Sequence, residues 1–593
     1  RDNTTGSNNT AIGQAALRDN TTASNNTAVG NDALKLNTTG TQNTAVGANA
    51  LDANTTGRRS TAIGYDALGA NTTGEENVAV GRLALQDNTT GDYNVAIGNG
   101  ALANNTTANN NTALGTSALS TNTTGNGNIA IGYQTLFTNT QGDRNTALGF
   151  QALYTMNPSG NADSYNTGVG YHAGSNVTTG QRITAVGGQA ADAVTTATDN
   201  TAVGYAAYSG GTTASHNTAV GAYSMDAAVT GDYNTAIGRD SLGALTSGTY
   251  CSGLGAYALW NNTGGTNNTA VGGNAMFDNT TGNYNTAVGH EALSNNTTAS
   301  YNTAVGRHSM YSNTTGNDNT ALGMYSLYTN TTATDCVAVG YNALRESNAN
   351  YCTAVGEGSL RTNTTGDVNT AIGQRSLHVC TTGRINTAVG GNSLDGLTTG
   401  ENNTAIGYEA GDDCSTGSNN VFVGFYAGRS QGNTSNLLYI ARNNTDAGNA
   451  ATWIHGQSTG ACIQGNNSTT WNTTSDVRLK KNISDSPKGL AEINQLRVTN
   501  FEYKREDEID MSEFPLADGP HQVCLNDETK EGVTQTGVIA QEVESVLPEC
   551  INTSHRGAKT VNSDAIMWAM VNAIKELSTK NDALEARIKT LEG

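Results

Sequence analysis

The sequence has little with which to build a large apolar core. Aromatic residues are 6% of its 593 positions (4 Trp, 7 Phe and 23 Tyr), charged residues 13%, and there are only 5 prolines. What charge there is lies on the acidic side, 50 Asp and Glu against 30 Lys and Arg, for a formal net charge of -20. From Ser475 onward there are twenty-one acidic and fourteen basic residues, which leaves twenty-nine and sixteen before it. Neither part carries a basic patch, so no nucleic-acid partner is expected. No apolar run approaches eighteen residues and no signal-peptide pattern opens the sequence, so neither membrane insertion nor a classical secretory start is expected. The chain begins Arg1-Asp2-Asn3 without Met and in mid-pattern, and an upstream portion is expected to precede it.

Cysteine is also sparse, eight scattered residues with no Cys-x-x-Cys pair and no histidine at metal spacing. They read as free thiols, and no metal or cofactor site is expected. Cys336 and Cys352 sit in adjacent repeat units and are placed to stack, without a disulfide being expected.

What fills the chain instead is a seventeen-residue unit, G-x-x-A-L-x-x-N-T-T-G-x-x-N-T-A-V/I, which runs to about residue 424. Its glycines fall at Gly13, Gly30, Gly47 and onward at seventeen to Gly149, then from Gly170 to Gly340, then from Gly356 to Gly424. Of twenty-four intervals only 149 to 170 (twenty-one) and 340 to 356 (sixteen) depart from the period. A fixed period this long marks a repeat architecture. Seventeen residues are too few for a helix pair or a propeller blade, and Asn, Thr and Gly are poor helix formers. In each unit a run such as Asn43-Thr44-Ala45-Val46 reads as a strand, Ala50-Leu51 as a second, poorer one, and Asn54-Thr55-Thr56-Gly57 as a turn. The fold class expected is all-β, a parallel β-solenoid of two short strands and two turns per coil. At roughly 4.8 Å per coil, its twenty-four intervals span about 115 Å.

The period-two pleat puts Thr44 and Val46 on one face and Ala45 on the other. The expectation is Val, Ile and Leu in the lumen and a narrow alanine face outside, against which two further chains pack in a homotrimer. A lone copy is under-stabilised, because each coil offers only two or three sizeable apolar side chains. Residues 154–165 are expected to bulge outward as a tolerated insertion, and the missing residue before Gly356 to shorten a turn. The Asn-x-Thr sequons that recur in almost every coil read as turn and ladder chemistry rather than glycosylation signals. The reading divides the chain into repeats over 1–424, a β-rich neck or cap over 425–474 that ends the solenoid, and a different domain over 475–593.

That last part has ordinary charge density and a helical tail. Met567, Met570, Ile574, Leu577, Asn581, Leu584, Ile588 and Leu591 are spaced 3, 4, 3, 4, 3, 4, 3, an a/d seam with Asn581 at an a position. A coiled coil over about 565–592 follows, marginal alone and sensible as three helices.

Two segments carry a resemblance. Ser475-Asp476-Val477-Arg478-Leu479-Lys480-Lys481-Asn482-Ile483 resembles the opening of the endosialidase-type intramolecular chaperone domain, the self-cleaving S74 peptidases. Gly537-Val538-Ile539-Ala540-Gln541-Glu542-Val543, followed by Pro548, resembles the second signature of that family. Such domains end phage tail fibres and tail spikes, trimerise them, assist their folding and then cut themselves away with a Ser–Lys dyad. The resemblance implies Ser475 as nucleophile, Lys480 as base and a cut between Thr474 and Ser475, one turnover per chain in cis and no outside substrate. Asp476, Arg478, Gln541 and Glu542 are candidate supporting residues, and His521 and His555 have no partner fixed by sequence. The repeats more loosely resemble the β-roll heads of trimeric adhesins, whose unit is shorter.

The implied function is a trimeric tail fibre or receptor-binding adhesin of a virion tail, assembled in the host cytoplasm. Its partners would be other tail proteins, through an N-terminal part, and a host-surface glycan or protein. Three alternatives stay open at this point: a bacterial surface trimeric adhesin, an ice-binding solenoid with regular Thr rows, and a glycan-depolymerising spike. The last would need converging carboxylates, whereas Asp92, Asp232 and Asp367 look like sporadic turn residues.

Overall fold

Each repeat closes one coil, and each coil contributes one strand to a single long sheet. The computed structural model describes residues 3–160, 162–441, 452–456, 462–464, 484–502, 504, 508–514, 534–553 and 559–593. The chain divides into two compact units, Arg1–Trp471 and Asn472–Gly593. In the first, twenty-six short strands, β1 (Thr10–Ile12) to β26 (Leu438–Ala441), pair in parallel from one coil to the next. Like stacks on like: Thr44 lies opposite Thr61, Ala45 opposite Ala62 and Val46 opposite Ile63.

Two expectations about the coil are corrected. The Ala50-Leu51 segment is a turn and not a second strand, with Asn49 and Leu51 both in the left-handed region (φ 58° and 53°). The Asn49 amide donates back to Asn31 (2.9 Å) and the Leu51 amide forward to Ala67 (3.0 Å), so the turn is laddered to both neighbouring coils. Left-handed backbone costs an L-residue roughly 1–2 kcal/mol. Full burial of the Leu51 side chain contributes about 1.5–3 kcal/mol and offsets it.

The second correction concerns the lumen. The strand-centre alanines (Ala28, Ala45, Ala62 and their successors) are fully buried, and the flanking Thr and Val/Ile face outward. Gly168 and its coil show why. It takes the alanine's place there, and a Cβ on it would lie 2.9 Å from Leu153 Cγ. The turn leucine there already fills the coil up to the strand, so even a methyl would make it shift and no larger side chain has room opposite it. The alanine face is therefore core. It is not available for packing against another chain.

The asparagines are buried too, in two columns, and do not form the polar surface their chemistry suggests. In the turn column Asn54 Nδ2 donates to Asn37 Oδ1 (2.9 Å) and to the Gly57 carbonyl (3.0 Å), and Asn71 repeats this one coil on. In the strand column Asn26 Oδ1 accepts the Asn43 amide (2.9 Å), while Asn43 Nδ2 reaches Gly57 O (2.8 Å). Buried amides tolerate desolvation only when bonded in this way. Cysteine can stand in: Cys251 in the strand column donates through Sγ to Gly265 O at 3.1 Å. Cys380 in the turn column is likewise buried, which pushes its thiol up to about 12. Cys336 and Cys352 are free and buried; a hydrogen bond with the Cys352 sulfur, and then burial, raise the Cys336 thiol.

At both breaks in the period the sheet register is kept. Ala147 still lies opposite Gly168 across the twenty-one-residue interval, and Ala338 opposite Ala354 across the sixteen-residue one. In a regular coil the carbonyl of Thr55 accepts the amides of Thr38 and Thr39 at 2.9 and 3.1 Å. At each break an asparagine side chain takes over that part. Asn157 Oδ1 accepts from the amide and hydroxyl of Thr140 (3.2 and 2.7 Å). Asn348 Oδ1 accepts from the amides of Thr331, Thr332 and Ala333 (3.2, 3.0 and 3.3 Å). Between Met156 and Ser164, both buried, the inserted segment exposes Asn157, Ser159, Gly160 and Asp163.

From the last repeat onward the core changes from alanine to aromatic, with Phe422 and Tyr439 buried at successive strand centres. β27 (Thr452–Gly456) then pairs antiparallel with β26, and β28 (Cys462–Gln464) antiparallel with β27.

The second unit is α+β. Its described elements are α1 (Leu490–Ile493), an antiparallel pair β29 (Thr499–Phe501) and β30 (Gln535–Gly537), α2 (Ala540–Val546), a second antiparallel pair β31 (Ile551–Thr553) and β32 (Lys559–Val561), and α3 (Ser563–Glu592). A small core joins Val543, Leu547, Cys550 and Ala569, flanked by Ile493, Leu496, Val538 and Ile566. The amide of Asn572 on α3 donates to Lys488 O (3.0 Å), which ties the approach to α1 onto the long helix.

Candidate functional site

Thr474, Ser475, Asp476, Arg478 and Lys480 lie outside the described residues, as do His521 and His555. Of the first signature, then, nothing is placed; of the second, Gly537 to Val543, all is. Its glycine ends β30 and its Ala540 begins α2. Val543 turns inward to the small core, so its neighbours at 542 and 544 point to the sides.

Both flanking acids are taken up by cations from other elements. Arg497, just before β29, donates to Glu542 through Nε (3.2 Å to Oε2) and Nη2. This two-pronged contact holds the Glu542 carboxyl below its usual range. Lys559 on β32 pairs with Glu544. The second signature thus braces the strand pair on one side and the β31–β32 hairpin on the other. Gln541 is exposed on the first turn of α2. Arg497 was not singled out in the sequence; a lone arginine forty-five residues upstream gives no signal of that pairing.

The predicted seam is on one helix, α3, which starts at Ser563 with the Asn562 side chain capping Asp564 N (3.1 Å). Ala569 and Ala573 face the unit's own core, whereas Met567, Met570, Ile574, Leu577, Leu584, Ile588 and Leu591 are 44% to 85% exposed. Asn581 is exposed among them and bonds Glu585 Oε1 at 3.2 Å. Seven large apolar side chains thus lie on one exposed stripe of α3.

The solenoid has its own outward row. The third residue of each strand is Val, Ile or Leu, and Ile63, Ile97, Leu114, Leu148, Leu322 and Ile406 are 38% to 44% exposed. Because every coil repeats the register, these side chains form one continuous apolar stripe beside the outward threonines. The carboxylates are otherwise occupied. Asp92, Asp232 and Asp367 each accept a backbone amide from the preceding coil (Glu75, Ser215 and Asn350, all 2.7 Å), so they cap turns and do not converge. The sequence showed the stripe's periodicity but not its side, since a pleat assigns two faces without saying which is inside.

No solved structure matches the chain. The comparison with family models bears on the other end: residues 475–552 match the chaperone of endosialidase, the S74 peptidase family, so the chain joins a β-solenoid of stacked coils to a C-terminal S74 domain, an arrangement consistent with a tail fibre or spike.

Proposed function

We propose that the protein is a homotrimeric tail-fibre or tail-spike shaft carrying its own folding clamp. The observation that carries this reading is the outward apolar stripe. It is too long and too regular to be left in water, and three parallel copies would close it around an axis. The exposed seam of α3 supports self-association of the C-terminal unit, and the S74 match supports a folding clamp there. Three chains of near-identical coils can pair in many wrong registers, and parallel pairing between distant segments is slow. A small domain that trimerises first would set the phase from which coils stack.

Release then follows from the Ser475–Lys480 dyad. The Ser475 hydroxyl adds to the Thr474 carbonyl carbon as the Lys480 amine takes its proton. The Thr474–Ser475 C–N bond breaks as the nitrogen is protonated, which leaves an ester, and water hydrolyses it to a Thr474 carboxylate and a free Ser475 amine. Once cut, the shaft keeps its inter-chain contacts but loses its template, so its persistence becomes kinetic. Host attachment by the solenoid's outer surface completes the proposal. Sedimentation equilibrium of the Ser475→Ala chain tests the assembly. A mass of three chains at micromolar concentration is expected, and a monomer would overturn the reading.

A further inference from the structure

One cluster of metal-ligand side chains on the solenoid belongs to none of this. We propose that His290, Glu291 and His308 form a site for a borderline divalent cation of the Zn2+ class.

The repeat builds it. Glu291 and His308 occupy the same place in successive coils, two residues past the strand's glycine, and His290 precedes Glu291. Their backbones are fixed: the Glu291 amide donates to Gly273 O (3.0 Å) and the His308 amide to His290 O (3.1 Å). Both residues hold the left-handed turn conformation, φ 55° and 56°. One ligand atom from each of the three side chains lies within 4.8 Å of the other two.

The distances suit a small cation. His308 Nδ1 is 3.4 Å from Glu291 Oε2, and His290 Nδ1 is 3.9 Å from Glu291 Oε1. Around a tetrahedral ion with bonds of about 2.0–2.1 Å, ligand atoms stand about 3.3–3.4 Å apart, so the first pair is already at that spacing. Two imidazoles and one carboxylate are a donor set for zinc, and three protein ligands leave a fourth position open.

His308 supplies the independent observation. Its side chain is 14% exposed, and both ring nitrogens are buried without a hydrogen-bond partner. A buried polar group without a partner is destabilising, and a metal on Nδ1 would relieve one of the two. Tyr311, Tyr325 and Tyr328 surround the ring at 5.4, 5.4 and 6.1 Å and fix its position.

Titration of the full-length chain with Co2+ tests the site. Cobalt reports ligand geometry in its visible bands, and thiolate ligation adds a near-ultraviolet charge-transfer band, which separates this site from the cysteines. The expected result is one Co2+ per chain with tetrahedral or five-coordinate visible bands, no thiolate band, and displacement by Zn2+. Glu291→Gln and His308→Asn should each weaken binding at least tenfold, while His216→Asn, in another coil, should not. Because Glu291→Gln keeps size and shape, its far-ultraviolet circular dichroism should match wild type, so a folding defect cannot account for its loss. Absence of binding to the wild-type chain, a thiolate band, or unchanged affinity in Glu291→Gln would overturn the proposal.

Discussion

Asn348 substitutes for a backbone carbonyl: its Oδ1 accepts the amide of Thr332 at 3.0 Å, where a regular coil would present a threonine C=O. The sixteen-residue coil is one residue short after Asn348, which stands at the place of Thr55, and its side chain supplies the acceptor for three consecutive amides. Asn348→Ala should therefore open this turn. Each net hydrogen bond is worth about 0.5–1.5 kcal/mol. Hydrogen exchange at the amides of Thr331 to Ala333 should speed up about tenfold or more, with strand Thr320–Leu322 unaffected. Asn348→Asp keeps the acceptor and should exchange near the wild-type rate. Equal protection in Asn348→Ala would mean that water serves these amides as well.

The inside-out coil makes opposite predictions for neighbouring residues. Ala62 is fully buried and Ile63 is 40% exposed. Ala62→Val should destabilise its coils by about 1–3 kcal/mol through overpacking. Ile63→Thr removes one member of a long outward row and should cost under about 1 kcal/mol. Paired thermal and hydrogen-exchange measurements decide it, and the reverse ranking would put valine and isoleucine back inside. The association side is read separately: Ile63→Asp with Ile97→Asp in the Ser475→Ala background should lower the sedimenting mass while circular dichroism stays unchanged.

The seam of α3 yields a third test. Ile574→Asp with Leu584→Asp should dissociate the C-terminal unit, since both side chains are exposed on the a/d stripe. Asn581→Leu should raise the melting temperature of the assembly and loosen its register or stoichiometry, as a polar a-position residue trades stability for specificity. An unchanged melting temperature and mass in Asn581→Leu would place residue 581 outside any interface.

How much of this was legible depended on what the period encodes. The coil length was readable because one glycine per unit is enforced by geometry: Gly47 holds φ +137°, and a Cβ there would sit 2.3 Å from Gly64 O. The direction of the pleat was not. Hydrophobicity alone ranks Val46 above Ala45 for the lumen, yet Leu51, turned inward by a left-handed backbone, leaves room only for a methyl. A leucine at positive φ is unusual enough that no local rule suggests it. Asn54 was legible as a turn residue but its burial was not: polarity argues for water, and only the stacked neighbours at 37 and 71 satisfy its amide inside. At the other end the family signatures were readable as strings, but the Arg497–Glu542 brace is a tertiary contact that no spacing encodes.

A pH dependence follows from the last coils. Burial first, then Asp395, Asp413 and Glu409, push the Asp412 carboxyl up to about 6, despite Arg429 at 3.5 Å. A carboxyl raised in the folded state contributes stability below its unfolded value, near 3.8, and loses it as pH rises through 6. The contribution from this partly buried group is modest. Asp412→Asn should therefore stabilise coils 395–429 at pH 7 and have little effect at pH 3.5. Hydrogen exchange of these coils at the two pH values checks the sign, and a variant less stable at pH 7 would show that the Arg429 contact outweighs the desolvation.

The self-cleavage proposal can be decided by mass. Denatured wild-type protein should show two chains, residues 1–474 and 475–593, the smaller beginning at Ser475. Ser475→Ala should give one chain of 61.1 kDa that is still trimeric, since the hydroxyl attacks but does not pack. Lys480→Ala should block the cut as well, but Lys480→Arg is sharper. It retains the positive charge and removes any group able to accept the serine proton near neutral pH. If Lys480→Arg cleaves at the wild-type rate, lysine is not the base. If Ser475→Ala still yields both fragments, the nucleophile or the scissile bond lies elsewhere. Glu542→Gln adds the structural arm: a brace predicts that cleavage slows only as far as the melting temperature of the C-terminal unit falls, and that Arg497→Lys partly preserves both. Loss of cleavage in Glu542→Gln at unchanged stability would instead move Glu542 into the reaction. The reaction is intramolecular, so the cleaved fraction at a given time should not change over a hundredfold dilution of preformed trimers. Dependence on concentration would point to cutting between assemblies or by a contaminating protease.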